Sequence, residues 1–230
     1  SDDYINISSV TNVSTQMSFI SWAKLTSSSS TYRYILNSGN WSTGRVYTGF
    51  QNSSSYVVDV YGAAPFDAGN VALAYSLNMS DHLNAWHLYG FTIDTPSKTI
   101  VLYIDGVAVK ERTLTTFPTS LNLNAYIGDW FNGSASRGWI GNIDEVAIWD
   151  ESLTAAEITT LYNSGSELDA LSNSGNYTSS SNLQGYWNFN DGTGTTLTDQ
   201  TSNDNDGTIN GASYGTRETS VDYTSGSGGT

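Results

Sequence analysis

Short β-prone runs, punctuated by turn residues and with no helices alternating between them, constrain this chain more than any other feature. Runs rich in Val, Ile, Tyr, Trp and Thr fall at 4–8, 17–25, 32–37, 45–51, 55–61, 71–77, 86–94, 98–105, 107–112, 124–127, 137–149, 183–189 and 207–209. Gly, Asn, Asp and Ser separate them. Many short strands without intervening helices build antiparallel sheets, in a sandwich or a barrel. The sharpest local signal is Leu102-Tyr103-Ile104-Asp105-Gly106-Val107-Ala108-Val109. Asp-Gly between two apolar runs predicts a two-residue type I′ hairpin, because both turn positions need φ > 0. Residues 100–104 are apolar on both faces, which predicts a strand deep in the structure.

One helix stands out, at 152–165. Thr154 and Glu157 have capping-box spacing, Leu153 and Ile158 are placed as a hydrophobic staple, and Gly165 can end it. A helix this short packs on the rim of a sandwich, and its role is structural. The stretch 165–182 is a polar connection with three apolar anchors, Leu168, Leu171 and Tyr177, and the last residues read as a flexible linker.

Composition narrows the function classes. Ser, Thr and Asn number 34, 27 and 21, so 82 of 230 residues are hydroxyls or amides, and only 13% are charged. Eight basic residues stand against 22 acidic, a net charge of −14, and no Lys or Arg cluster is present. Nucleic-acid binding and adsorption to an anionic membrane both need such clusters. No run approaches the ~18 apolar residues of a membrane span. With no Cys there is no disulfide, zinc-thiolate site or cysteine nucleophile.

These pieces, in order and spacing, resemble a known family. Trp86-His87-Leu88-Tyr89 with the Asp-Gly hairpin, and Gly141-Asn142-Ile143-Asp144-Glu145-Val146-Ala147-Ile148-Trp149 before the capped helix, are similar to laminin-G-like jelly rolls of the concanavalin-A-like lectin/glucanase superfamily. Leu183-Gln184-Gly185-Tyr186-Trp187-Asn188-Phe189-Asn190-Asp191-Gly192 resembles the family's usual opening segment, here at the C-terminus. The resemblance covers 1–214 and implies an all-β, two-sheet antiparallel β-sandwich with one short rim helix, closed by the strand 183–189 beside 144–149. Residues 215–230 are then a tail or linker.

Candidate chemistry follows from the same segments. The resemblance implies a structural Ca²⁺ held by Asp144 and Asp191, pinning the closing strand to its neighbour. Glycan contact would use loop aromatics beside an acid and an amide: Trp41, Asp129, Trp130 and Asn132. A glucanase reading fails on the residues. Laminarinase-type glycosidases carry Glu-x-Asp-x-x-Glu on a strand; the one Glu-x-Asp here is Glu167-Leu168-Asp169, and Ser172 replaces the second Glu. His82 and His87 come with no Gly-x-Ser-x-Gly elbow. The expectation is a non-enzymatic lectin-type binding or adhesion module, extracellular or on a virion surface, recognising a glycan or a protein partner. The alternative is a structural brick of a virion or filament that meets neighbouring copies and binds no free sugar.

Overall fold

The computed structural model describes every residue except 1–2, 8–9, 11–12, 14, 28–31, 39–41, 53, 67–70, 122, 131–136, 167–168 and 216–230. The strands are β1 (Tyr4–Ile7), β2 (Gln16–Leu25), β3 (Tyr32–Asn37), β4 (Val46–Gln51), β5 (Ser55–Val60), β6 (Leu73–Ser76), β7 (Trp86–Asp94), β8 (Thr99–Ile104), β9 (Val107–Thr113), β10 (Ala125–Ile127), β11 (Gly141–Trp149), β12 (Leu183–Trp187), β13 (Thr196–Leu197) and β14 (Gly207–Asn210). Helix α1 (Ala155–Tyr162) lies between β11 and β12. The strands form two antiparallel sheets, one ordered β13-β14-β1-β10-β3-β4-β5-β6, the other β12-β11-β2-β7-β8-β9. This is the sandwich expected from the sequence. No described helix is long and apolar enough to cross a membrane.

Period-2 alternation sorts the side chains into three apolar layers. Between the sheets lies the main core, with Phe19, Phe50, Phe91, Leu102, Ile148 and Trp187 all at most 2% exposed. The outer face of the six-stranded sheet is covered by α1 and the connection behind it, through Trp22, Trp149, Ile158, Leu161 and Tyr177. The outer face of the eight-stranded sheet carries Tyr34, Tyr47 and Val57, closed over by Trp130.

The Asp-Gly turn forms as its chemistry requires, with Asp105 at φ 49° and Gly106 at φ 77°. The capping box of α1 is complete: Glu157 N–H donates to Thr154 Oγ1 (3.3 Å) and Thr154 N–H to Glu157 Oε2 (2.9 Å). The helix ends earlier than Gly165, at Asn163, which takes the left-handed conformation itself. Glu157 also accepts from the Ser179 hydroxyl (2.6 Å), and Trp149 Nε1–H donates to the Tyr177 hydroxyl (3.0 Å), so the connection is an ordered crossing tied down by two buried polar contacts. Leu171 is no anchor, being 42% exposed, and Leu168 lies outside the described residues.

The late strand closes the molecule twice. β12 pairs with β11, Val146↔Trp187 through Trp149↔Leu183, and all five of its residues are buried. β14 pairs with β1, Tyr4↔Asn210 through Ile7↔Gly207, at the edge region of the other sheet. One C-terminal segment thus adds strands to both layers.

Candidate functional site

The closing strand is shorter than the strand it closes. β12 ends at Trp187, and Phe189, at φ 53°, turns the chain away. Of β11, the stretch 146–149 is paired to β12, while Gly141–Asp144 pairs with β2 alone. A bulge at Glu145, φ 49°, divides the two halves. Over the bare half lies a cleft of about 510 Å³. Cross-strand register places its outer wall: Asp144 opposite Trp22, Asn142 opposite Lys24, and Lys24 opposite Trp86. The Lys24 ammonium sits 5.5 Å above the Trp86 ring centroid. Tyr4, Phe189 and Tyr214 border the cleft from the segments around β1, β12 and β14, and Trp139 and Ile143 reach it from the inter-sheet side. The cleft therefore combines half-exposed aromatic rings with carboxylates and amides, the chemistry that stacks on a sugar ring and bonds its hydroxyls.

Of the two carboxylates expected to hold calcium, Asp144 lines this cleft and Asp191 follows a residue that does. Asp144 lines it, with its Oδ1 accepting the Glu145 N–H at 3.0 Å. Asp191 follows Asn190, which lines it, and Asp191 Oδ2 lies 3.0 Å from Thr198 N and 3.2 Å from the hydroxyl of the cleft residue Tyr214. Partial burial opposes the charge of Asp191, but the hydrogen bonds from Thr198 and Tyr214 outweigh it and hold the carboxyl below its ordinary pKa. Were Asp144 and Asp191 to share an ion, their carboxylate oxygens would suit a hard cation. Among the described residues no three His, Cys, Asp or Glu side chains converge. An ion here would take the rest of its about 6–8 oxygens from amides, main-chain carbonyls and water.

The sequence-expected glycan residues are placed differently. Trp130 is 8% exposed, packed 4.9 Å from Tyr34 and 6.0 Å from Tyr47, and the guanidinium carbons of Arg45 and Arg137 lie 5.0 Å and 4.8 Å from its ring centroid. Asp129 is 0% exposed, its Oδ1 accepting the Trp130 N–H at 2.6 Å. Both lie under the surface of the eight-stranded sheet, and Trp41 and Asn132 lie outside the described residues. Sequence reasoning missed the cleft. Its signal is the pairing of Trp22-Ala23-Lys24 with Asn142-Ile143-Asp144, polar and aromatic side chains alternating with apolar ones.

The two histidines meet, with ring centroids 4.6 Å apart. His87 Nδ1 lies 2.7 Å from Asp105 Oδ2, and its Nε2 3.2 Å from the Asp81 carbonyl. His82 Nδ1 is 2.9 Å from the Tyr89 hydroxyl. Three of these four nitrogens bind structural partners, so the pair ties the hairpin turn to the start of β7. Glu167 lies outside the described residues, and Asp169 accepts the Leu171 N–H at 2.9 Å within its own turn.

Two sheets closed by a late strand, with a polar and aromatic cleft where that closure stops, define a lectin-type β-sandwich. The chain belongs to the concanavalin A-like lectin/glucanases superfamily, in its laminin-G branch, whose family model matches residues 1–159. No curated protein matches it in sequence. A candidate carbohydrate-binding protein of Bacteroides ovatus superposes with a TM-score of 0.59 at 16% identity, over 92% of this chain. The chain spans 56% of that relative's length. The CBM40 of a Ruminococcus gnavus IT-sialidase, solved with α2,3-sialyllactose, gives 0.51 at 14% identity over 66% of this chain and 84% of its own. The binding domain of Paraclostridial Mosquitocidal Protein 1 gives 0.50 at 16% identity over 66% and 38%. At these identities the likeness is one of fold.

Proposed function

We propose that the chain is a non-enzymatic, lectin-type binding module of an extracellular or virion surface, and that the cleft over the bare half of β11 receives its glycan or protein partner. The observation that carries this reading is the cleft's make-up: Trp86, Tyr4 and Tyr214 beside Asp144, Asn142 and Asn190. The partner is a glycan by preference. Flat rings stack on sugar CH faces while carboxylates and amides accept and donate to hydroxyls, and the sialyllactose-bound relative shares the fold. Calcium at Asp144 and Asp191 would tie β11 to the segment after β12 and so hold one wall of the cleft; it supplies structure and a charge for hydroxyls to coordinate.

The test is a calorimetric titration of a panel of neutral and acidic oligosaccharides against the wild type and Trp86→Ala. Saturable binding that weakens at least ~10-fold in the variant supports the cleft. Binding indifferent to Trp86→Ala and Asp144→Asn sinks it. The same protein incubated with β-glucans should release no reducing ends, and turnover that Glu167→Gln abolishes would overturn the non-enzymatic reading.

A further inference from the structure

The outer face of the eight-stranded sheet holds an arginine in an unusual setting. The chain has five arginines in a net charge of −14. Arg137 lies with its guanidinium carbon 4.8 Å from the Tyr32 ring centroid and 4.8 Å from that of Trp130. The Tyr34 hydroxyl lies close enough to feel its charge. Its main chain is fixed as well, since the Arg137 carbonyl accepts the Tyr34 N–H at 3.2 Å. Arg45, 5.0 Å from the Trp130 ring centroid, is paired with Asp59 at 3.6 Å. Among the described residues Arg137 has no carboxylate partner: Asp59 serves Arg45, and Asp129 turns an oxygen to the Trp130 N–H. It remains half-exposed.

A guanidinium held against aromatic rings keeps its plane fixed and its edge N–H groups directed outward, so little conformational freedom is lost when it meets a planar or tetrahedral anion. Among the described residues no carboxylate pairs with Arg137. We propose that this face is a second ligand site, apart from the cleft, in which Arg137 receives the carboxylate or sulfate of an acidic sugar. Trp130 and Tyr32, whose ring centroids each lie 4.8 Å from the Arg137 guanidinium carbon, orient the guanidinium. That the anion belongs to a sugar rests on the lectin-type reading; that an anion is bound rests on Arg137 alone.

The experiment is a titration of the full chain with 3′-sialyllactose, with lactose 3′-sulfate, and with lactose as the neutral control, at low and high salt. At least one acidic probe should bind, with affinity that falls as salt rises, while lactose binds this site not at all. Which acidic probe binds tells carboxylate from sulfate. Arg137→Gln should weaken that binding at least ~10-fold at an unchanged melting temperature, and Arg137→Lys, which keeps the charge but loses the fork, should recover only part of it. The proposal is overturned if neither acidic probe binds the wild type or if Arg137→Gln binds as tightly. It is also overturned if Trp86→Ala abolishes acidic binding while Arg137→Gln leaves it intact. Failure of the cleft reading shows separately, as neutral-glycan binding indifferent to Trp86→Ala.

Discussion

Two polar pairs, one buried and one half-buried, show how single residues carry this structure. Arg45 is 1% exposed and Asp59 5%, with Asp59 Oδ1 also accepting the Ala72 N–H at 2.9 Å. Burial pushes the Asp59 carboxyl up to about 6, against the pull of Arg45. Asp59→Ala strands a guanidinium in the apolar layer and should cost about 3–5 kcal/mol in urea denaturation, while the double change Arg45→Met, Asp59→Leu costs less because no charge is left behind. Equal losses from the two proteins would refute the pairing as the source. At the other pair, burial disfavours a charged His87, but the hydrogen bond and charge of Asp105, with the Asp81 carbonyl, outweigh it and raise its pKa. Burial and the neighbouring His87 lower that of His82. A raised imidazole pKa means protons bind the native state more tightly. The contribution of His87 is full below the unfolded value of about 6.5 and is lost as pH rises through the folded one; His82 runs the other way, resisting protonation. Asp105→Asn keeps a residue that accepts φ > 0 in the turn, so the fold should persist while the NMR titration of His87 moves to lower pH. An unmoved titration would dismiss Asp105 as the cause.

Elements were read from the sequence with uneven success, and the pattern of misses is physical. β3 and β7 begin and end where their residues suggest, because both ends are marked by turn residues. β11 was expected from 137 but starts at Gly141: Arg137 instead serves the Tyr34 main chain and the aromatic layer, contacts that no local pattern records. β13, two residues long, has no period to detect. Gly106 shows turn chemistry and tertiary packing acting on one residue. At φ 77° a side chain is strained, and a Cβ would meet the Tyr162 Cβ at 2.8 Å, so Gly106→Val should destabilise by more than the ~1–2 kcal/mol of the backbone term. β12 is the strongest case at this scale. Leu183, Tyr186 and Trp187 are each at most 5% exposed, worth roughly 1.5–3 kcal/mol apiece. Truncation at 181 removes them and bares the 146–149 edge of β11. Light scattering should then report aggregates or strand-exchanged oligomers, and a stable soluble monomer of 1–181 would contradict the closing role of β12.

At the scale of the whole molecule, the closure decides both stability and function. If calcium joins Asp144 to Asp191, binding to the native state at 100-fold over its dissociation constant adds about 2.7 kcal/mol. For a domain of this size that is a melting shift of roughly 5–10 °C, lost on chelation and lost in Asp191→Ala. A melting curve indifferent to chelator and to calcium rejects the ion. The sequence by itself determined the sheet class, the Asp-Gly turn and the cap of α1, because these rest on period, turn chemistry and capping, all encoded within a few residues; the late closing strand was legible only through the family resemblance. It could not determine where β12 stops, and so could not show the cleft; that depends on register against a strand far away in the chain. Nor could it tell that Trp130 is covered while Trp86 borders open space. Both are tryptophans beside polar residues in sequence, and only the packing of one sheet face against its neighbours, where Arg137 and Arg45 close over one ring and the bare half of β11 leaves the other at a cleft, gives them different roles.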